Sequence, residues 1–171
     1  DALFEKDFTE QALQQFLLII QREPANQEGL TSVAKCYLQL GQFSQAQTHL
    51  ASALTIYEDD VPLQLMTILA MSAPADETTR HPQQARLLLE SIDSNSFPAE
   101  HAAASAMVAA ATGDYDQAYA ASEKFIRLYP RNTNIDYAYF MKGMTGYYAD
   151  DGLLGNIFSL SLAKRDISGA M

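Results

Sequence analysis

The sequence predicts an all-α fold, a right-handed α-solenoid of antiparallel helical hairpins in which each repeat touches mainly its neighbours. Three observations predict it. A small residue recurs at Ala12, Ala46, Ala85 and Ala118, with spacings of 34, 39 and 33 residues, a period typical of two-helix repeats. Each of these alanines is followed four and seven residues later by a partner position: Phe16 and Ile19, Leu50 and Ala53, Leu89 and Ile92, Ser122 and Phe125. That i, i+4, i+7 series is one face of an α-helix. Gly41 and Gly113 precede two of these helices, and Pro24 and Pro130 follow Ala12 and Ala118 by twelve residues, where proline cannot continue a helix.

The elements follow in order. Repeat one, FTEQALQQFLLIIQREP over 8–24, lacks most of a first helix. In repeat two, Leu30, Val33, Ala34 and Tyr37 line the first helix, and the second runs from Phe43 towards Glu58. Repeat three has a first helix over 61–72, then the loop APADETTRH over 73–81, whose extra length accounts for the spacing of 39. In repeat four, helix 98–111 is nearly all alanine, with Ala102, Ala106 and Ala109 on its inner face. So few large side chains let neighbouring helices approach closely, and alanine favours the helix intrinsically. After Pro130, Asp136 is placed as the N-cap of a helix to about Ala149, with Gly143 at a small-residue position. Asp150-Asp151-Gly152 ends it, an irregular apolar loop covers 150–165, and Lys164-Arg165-Asp166 precedes a new helical start. The chain opens without Met and stops at Met171 inside a pattern, so both ends read as cut, and the shift in composition near 115–122 fits either a divergent protein or a hybrid piece.

Composition narrows the function classes. The chain has 171 residues, 48% apolar, enough for one domain or a run of small repeats and against disorder. No apolar run reaches membrane-spanning length, and no signal peptide is visible. The single Cys36 excludes an internal disulfide. Net charge is −10, with 16 acids and 5 bases over 1–121 against 5 acids and 6 bases over 122–171. Such an acidic chain is not a nucleic-acid binder, which needs a basic surface.

No chemistry-bearing constellation emerges, so no metal, no cofactor and no enzymatic activity are expected. His49, His81 and His101 lie far apart and read as solvated surface histidines, whereas a metal needs three or four convergent ligands. Cys36 falls beside the core positions Val33 and Tyr37 and reads as a small buried hydrophobe. Glu58-Asp59-Asp60 and Asp150-Asp151 sit at helix boundaries and read as capping and solubilising acids. Gly143 and Gly146 read as small-residue helix packing. The cluster Tyr137, Tyr139, Phe140, Met141, Met144, Tyr147 and Tyr148 occupies more than one helix face. It fits either core contact on two sides or a patch of aromatic and Met anchors for a partner.

These residues resemble the tetratricopeptide (TPR) repeat. Repeat two carries its pattern in Ala34, Tyr37, Gly41, Phe43, Ala46 and Ala53, and repeat four in Ala106, Gly113, Tyr115, Ala118 and Pro130. The resemblance implies a concave groove lined by first helices, here Glu28, Thr31, Lys35 and Leu38, then Glu100, Ala103, Met107 and Ala110. Thr31 and Lys35 stand where chaperone-tail binders carry a Lys/Asn carboxylate clamp, so an apolar peptide suits the groove better.

The segment FIRLYPRNTNIDYAYFMKGMTGYY over 125–148, the apolar loop after it and the KRD of 164–166 are similar to the BamD family, TPR lipoproteins of the bacterial outer-membrane β-barrel assembly machinery. The chain then divides into TPR-like repeats over 1–112 and a BamD-like segment over 113–171, continuous with the same solenoid. The resemblance implies a non-catalytic protein-binding scaffold on the periplasmic side of the outer membrane. Its partners would be the barrel-inserting subunit or unfolded barrel substrates. Its partner surface would comprise Tyr137, Tyr139, Phe140, Met144, Tyr147 and Tyr148, with Leu153 and Phe158 of the loop and Lys35 and Met107 of the groove. The alternative is a generic TPR adaptor, cytoplasmic, for an unknown peptide or protein.

Overall fold

Helix boundaries fall where local chemistry puts them. A computed structural model describes residues 2–73, 80–132, 135–136 and 138–148, with side chains from residue 6 onward. Helix α1 spans Ala2–Arg22. Asn26 caps α2 (Gln27–Gln39), its Oδ1 accepting from the Gly29 amide at 2.8 Å. The turn into α3 (Phe43–Leu54) passes through Gly41 at φ 68°, a left-handed conformation that suits only glycine well. Asp60 caps α4 (Val61–Ser72), its Oδ1 accepting from the Leu63 amide at 2.8 Å, and Pro62 occupies the first turn, where no amide is missed. Helices α5 (Pro82–Ser91) and α6 (Pro98–Ala111) both start on proline. Gly113, at φ 82°, repeats the Gly41 turn before α7 (Tyr115–Leu128), whose cap Asp114 accepts from the Gln117 amide at 3.1 Å. A last helix, α8, covers 138–148, and residues 135–136 are helical as well.

The helices pack as successive hairpins, each against the next from α1 to α7, and α2, α4 and α6 also touch in series. First helices therefore form one continuous layer, while among the described residues no second helix touches another. This is the all-α, TPR-like architecture expected from the repeat spacing. The second-helix faces of repeats two to four are buried as expected: Ala46, Leu50 and Ala53; Ala85, Leu89 and Ile92; Ala118, Ser122 and Phe125.

Helix α4 is the centre of the molecule. Leu63, Met66 and Ala70 join a core with Leu30, Ala34 and Leu50 of α2 and α3. Leu65 and Ile68 join a second core with Ala85, Leu89, Ala104 and Val108 of α5 and α6. A helix serving two cores must be apolar nearly all round, and α4 is.

Two expected faces are corrected. In α1 the buried side centres on Leu13, packed with Phe16, Leu17 and Ile20, whereas Ala12 is half-buried and Ile19 is 40% exposed. Among the described helices α1 packs only on α2, so its apolar face turns towards that one neighbour. Gly29 makes the contact close: a Cβ there would lie 2.9 Å from Ile20 Cγ2. In α6 the buried residues are Ala104, Ala106, Val108 and Ala109, and Ala102 is only half-buried. Helix α6 touches α4, α5 and α7, so it buries two sides rather than one stripe.

Candidate functional site

The expected partner segment resolves into a helix with two unlike sides. Ala138, Met141 and Thr145, spaced i, i+3, i+7, are buried. The Thr145 hydroxyl donates back to the Met141 carbonyl at 2.7 Å, so its burial leaves no hydroxyl proton unsatisfied. The opposite arc holds Tyr139 and Phe140, both 58% exposed, Met144 at 41% and Tyr147 at 65%. Gly143 completes that arc. Within 138–148 no charged residue lies on it; the one charge on the same face is Asp136, exposed in the first turn, although a solvated helix face ordinarily carries several.

The inner side is anchored to α7. Lys142, the one charged residue of 138–148, turns its Nζ to Glu123 Oε1 at 2.8 Å and lies 5.2 Å from the Tyr119 ring centre. The hydrogen bond to Glu123 holds the Lys142 ammonium above the usual lysine range. Gly146 faces the Tyr119 ring, where a Cβ would come within 3.3 Å of a ring carbon. Tyr148 stacks on Tyr115 with centres 5.2 Å apart and meets Tyr147 edge-on at 5.6 Å. An ion pair, a ring stack and a close glycine contact thus fix which side of α8 faces outward.

Several sequence expectations change here. A Cβ on Gly143 would meet nothing within 4 Å among the described residues, so Gly143 belongs to the outer arc; of these two glycines Gly146 is the close-packing one. Residue 135 is already helical, so Asp136 lies within the first turn rather than at the cap, where its charge still suits the helix N-terminus. His49 is not solvated. It is half-buried beside Tyr37, with Nε2 3.0 Å from the Leu30 carbonyl oxygen, and burial pushes its pKa below the ordinary value. Cys36 is buried as expected, and burial pushes its thiol up, the opposite of what a nucleophile needs.

The structure brings Tyr139, Phe140, Met144, Tyr147 and Tyr148 together on α8. It leaves Lys35, exposed, on α2 and Met107, half-buried, on α6, with α4 packed between those helices. Tyr137, Leu153, Phe158 and the Asp150-Asp151 pair lie outside the described residues. Sequence reasoning missed the anchoring set of Tyr119, Glu123 and Lys142. Its signal was available: a single charge inside an aromatic helix marks the side that must find a counter-ion. Among the described residues no group of three or more His, Cys, Asp or Glu could hold a metal ion, and no helix is long and apolar enough to cross a membrane.

Comparison with known proteins adds what geometry cannot. The YfiO family model, described as an outer membrane lipoprotein, matches residues 72–171. The outer membrane protein assembly factor BamD of Xylella fastidiosa strain 9a5c is 37% identical over 57 residues, which is 33% of this chain and 20% of that protein. BamD of strain Temecula1 matches with the same identity over the same shares. The chain therefore spans about a fifth of the length of these curated relatives. No solved structure matches.

Proposed function

The chain belongs to the YfiO family of outer membrane lipoproteins, and on that premise we propose that it is a non-catalytic scaffold in outer-membrane β-barrel assembly, with the outer arc of α8 as its docking surface. The observation that carries the reading is the uncharged arc of Tyr139, Phe140, Gly143, Met144 and Tyr147, held outward by the Lys142–Glu123 pair. Aromatic and Met side chains are enriched at protein interfaces and depleted elsewhere on surfaces. The aromatic rings offer large contact area with few torsions to freeze, and Met adapts its shape to a partner. The arc lies inside the matched residues 72–171.

The partner is the barrel-inserting subunit or an unfolded barrel substrate, met on the periplasmic side of the outer membrane. Residues 1–112 act as the repeat framework, continuous through the α6–α7 hairpin with the segment that carries α8. No catalytic step is assigned. Burial holds the Cys36 thiol away from the reactive thiolate, and Cys36 and the half-buried His49 both lie in the second repeat rather than near α8.

A photo-crosslinking residue placed at Tyr139 or Met144, in cells that express the assembly machinery, tests this directly. Crosslinks to the barrel-inserting subunit or a barrel substrate from these positions, and none from exposed Gln14 on α1, are the expected result. Equal labelling from Gln14, or none from α8, would count against the assignment.

A further inference from the structure

The second hairpin carries a surface that the docking role does not use. From Cys36 to Tyr57 the chain has no charged residue, although 19% of the whole sequence is Asp, Glu, Lys or Arg. This stretch closes α2 and forms α3. The inner side of α3 is fully buried through Ala46, Leu50 and Ala53. The outer side is hydroxyl and amide: Ser44, Gln45, Thr48 and Ser52 are all exposed. These four, with Tyr37 and His49, line an open groove of about 380 Å³.

One wall of the groove is aromatic and fixed. The Tyr37 and His49 rings lie 6.2 Å apart, tilted by 57°, and the contact between His49 and the Leu30 carbonyl holds the imidazole in place. The other wall is a graded set of hydrogen-bonding groups. Thr48 and Ser52 donate to the Ser44 and Thr48 carbonyls, each at 3.1 Å, so what their hydroxyls have left to offer a ligand is acceptor capacity. The Ser44 hydroxyl and the Gln45 amide supply donors as well as acceptors.

The lining decides the ligand class. A charged ligand meets no countercharge among these residues. An apolar ligand would strip water from hydroxyls and amides without replacing it. A pyranose offers both things the groove asks for, hydroxyls around its rim and a C–H face that packs on an aromatic ring. We propose that this groove binds a neutral saccharide, one sugar ring lying on Tyr37 and its hydroxyls meeting Ser44, Gln45, Thr48 and Ser52. The volume is in the range of small-ligand sites, and the openness of the lining suits one end or edge of a longer glycan.

The test is a titration of the ¹⁵N-labelled full chain with two neutral trisaccharides, chitotriose and maltotriose, and with a capped alanine tripeptide as the peptide control. Saturable shift changes at residues 37, 44, 48 and 52 with a trisaccharide, weakened more than fivefold by Gln45→Ala with Thr48→Ala, are expected. Circular dichroism checks that the double variant folds, and Ser44→Ala replaces it if helix content falls. No saturable change at tens of millimolar sugar overturns the proposal. So does a tripeptide that shifts the same residues at equal or lower concentration, or a folded variant that binds as the parent does. None of these substitutions touches α8, so partner crosslinking from Tyr139 reports separately on the docking role.

Discussion

A Cβ on Gly29 would lie 2.9 Å from Ile20 Cγ2 and 3.3 Å from Ile19 Cγ2, so α1 and α2 meet through a missing side chain. Gly29→Val should destabilise the fold by roughly 2 kcal/mol, because β-branched neighbours cannot swing away cheaply. Urea unfolding measures it, and an unchanged midpoint would show that the helices separate freely there. Phe125 and Tyr139 make the complementary pair. Phe125 is 1% exposed and Tyr139 is 58%, so Phe125→Ala should cost about 3–5 kcal/mol and Tyr139→Ala less than about 0.5 kcal/mol. A large loss at Tyr139 would make it a core residue rather than a docking one. His49 gives a pH signature with a definite sign. Burial lowers its folded pKa from the ordinary 6.5, so protonation favours the unfolded chain. Its contribution to stability is complete above 6.5 and declines as pH falls from there towards the lower folded value. His49→Gln, which keeps a hydrogen-bonding side chain, should flatten that decline in unfolding curves collected from pH 8 to 5; a variant that keeps the parent slope assigns the effect elsewhere.

At the scale of the element, the repeat alanines and their i, i+4, i+7 partners were legible because each second helix shows one stripe to its neighbours. The same logic misplaced α1 and α6, and the reason is the number of neighbours. With α2 as its one described partner, α1 turns Leu13 and Ile20 inward and leaves Ile19 at 40% exposure. With three partners, α6 buries Ala104 and Val108 as well as Ala106 and Ala109. A single-stripe reading assumes a fixed environment that end and middle helices do not share. Helix α4, central to both main cores, should be the slowest segment to exchange its amides. The first turns of α1 should exchange fastest. Native-state hydrogen exchange showing α4 no better protected than α1 would contradict the two-core description.

Across the whole molecule, a layer of first helices linked by α4 presents α8 on the flank of α7. The site was half legible in the sequence. An aromatic run spanning several faces signalled that some rings stay outside, but periodicity alone could not say which. The Lys142–Glu123 pair and the Tyr115–Tyr148 stack decide it, and both join residues that lie far apart in the chain. The central claim is that the outer arc of α8 holds a barrel-assembly partner. Its most direct measurement is recovery of the barrel-inserting subunit from bacterial envelope extract by the parent chain and by a Tyr139→Ala, Phe140→Ala, Tyr147→Ala variant. Buried interface aromatics are commonly worth about 2 kcal/mol each, so the folded variant should lose recovery almost completely. Equal recovery by parent and folded variant would contradict the account and move the docking surface away from α8.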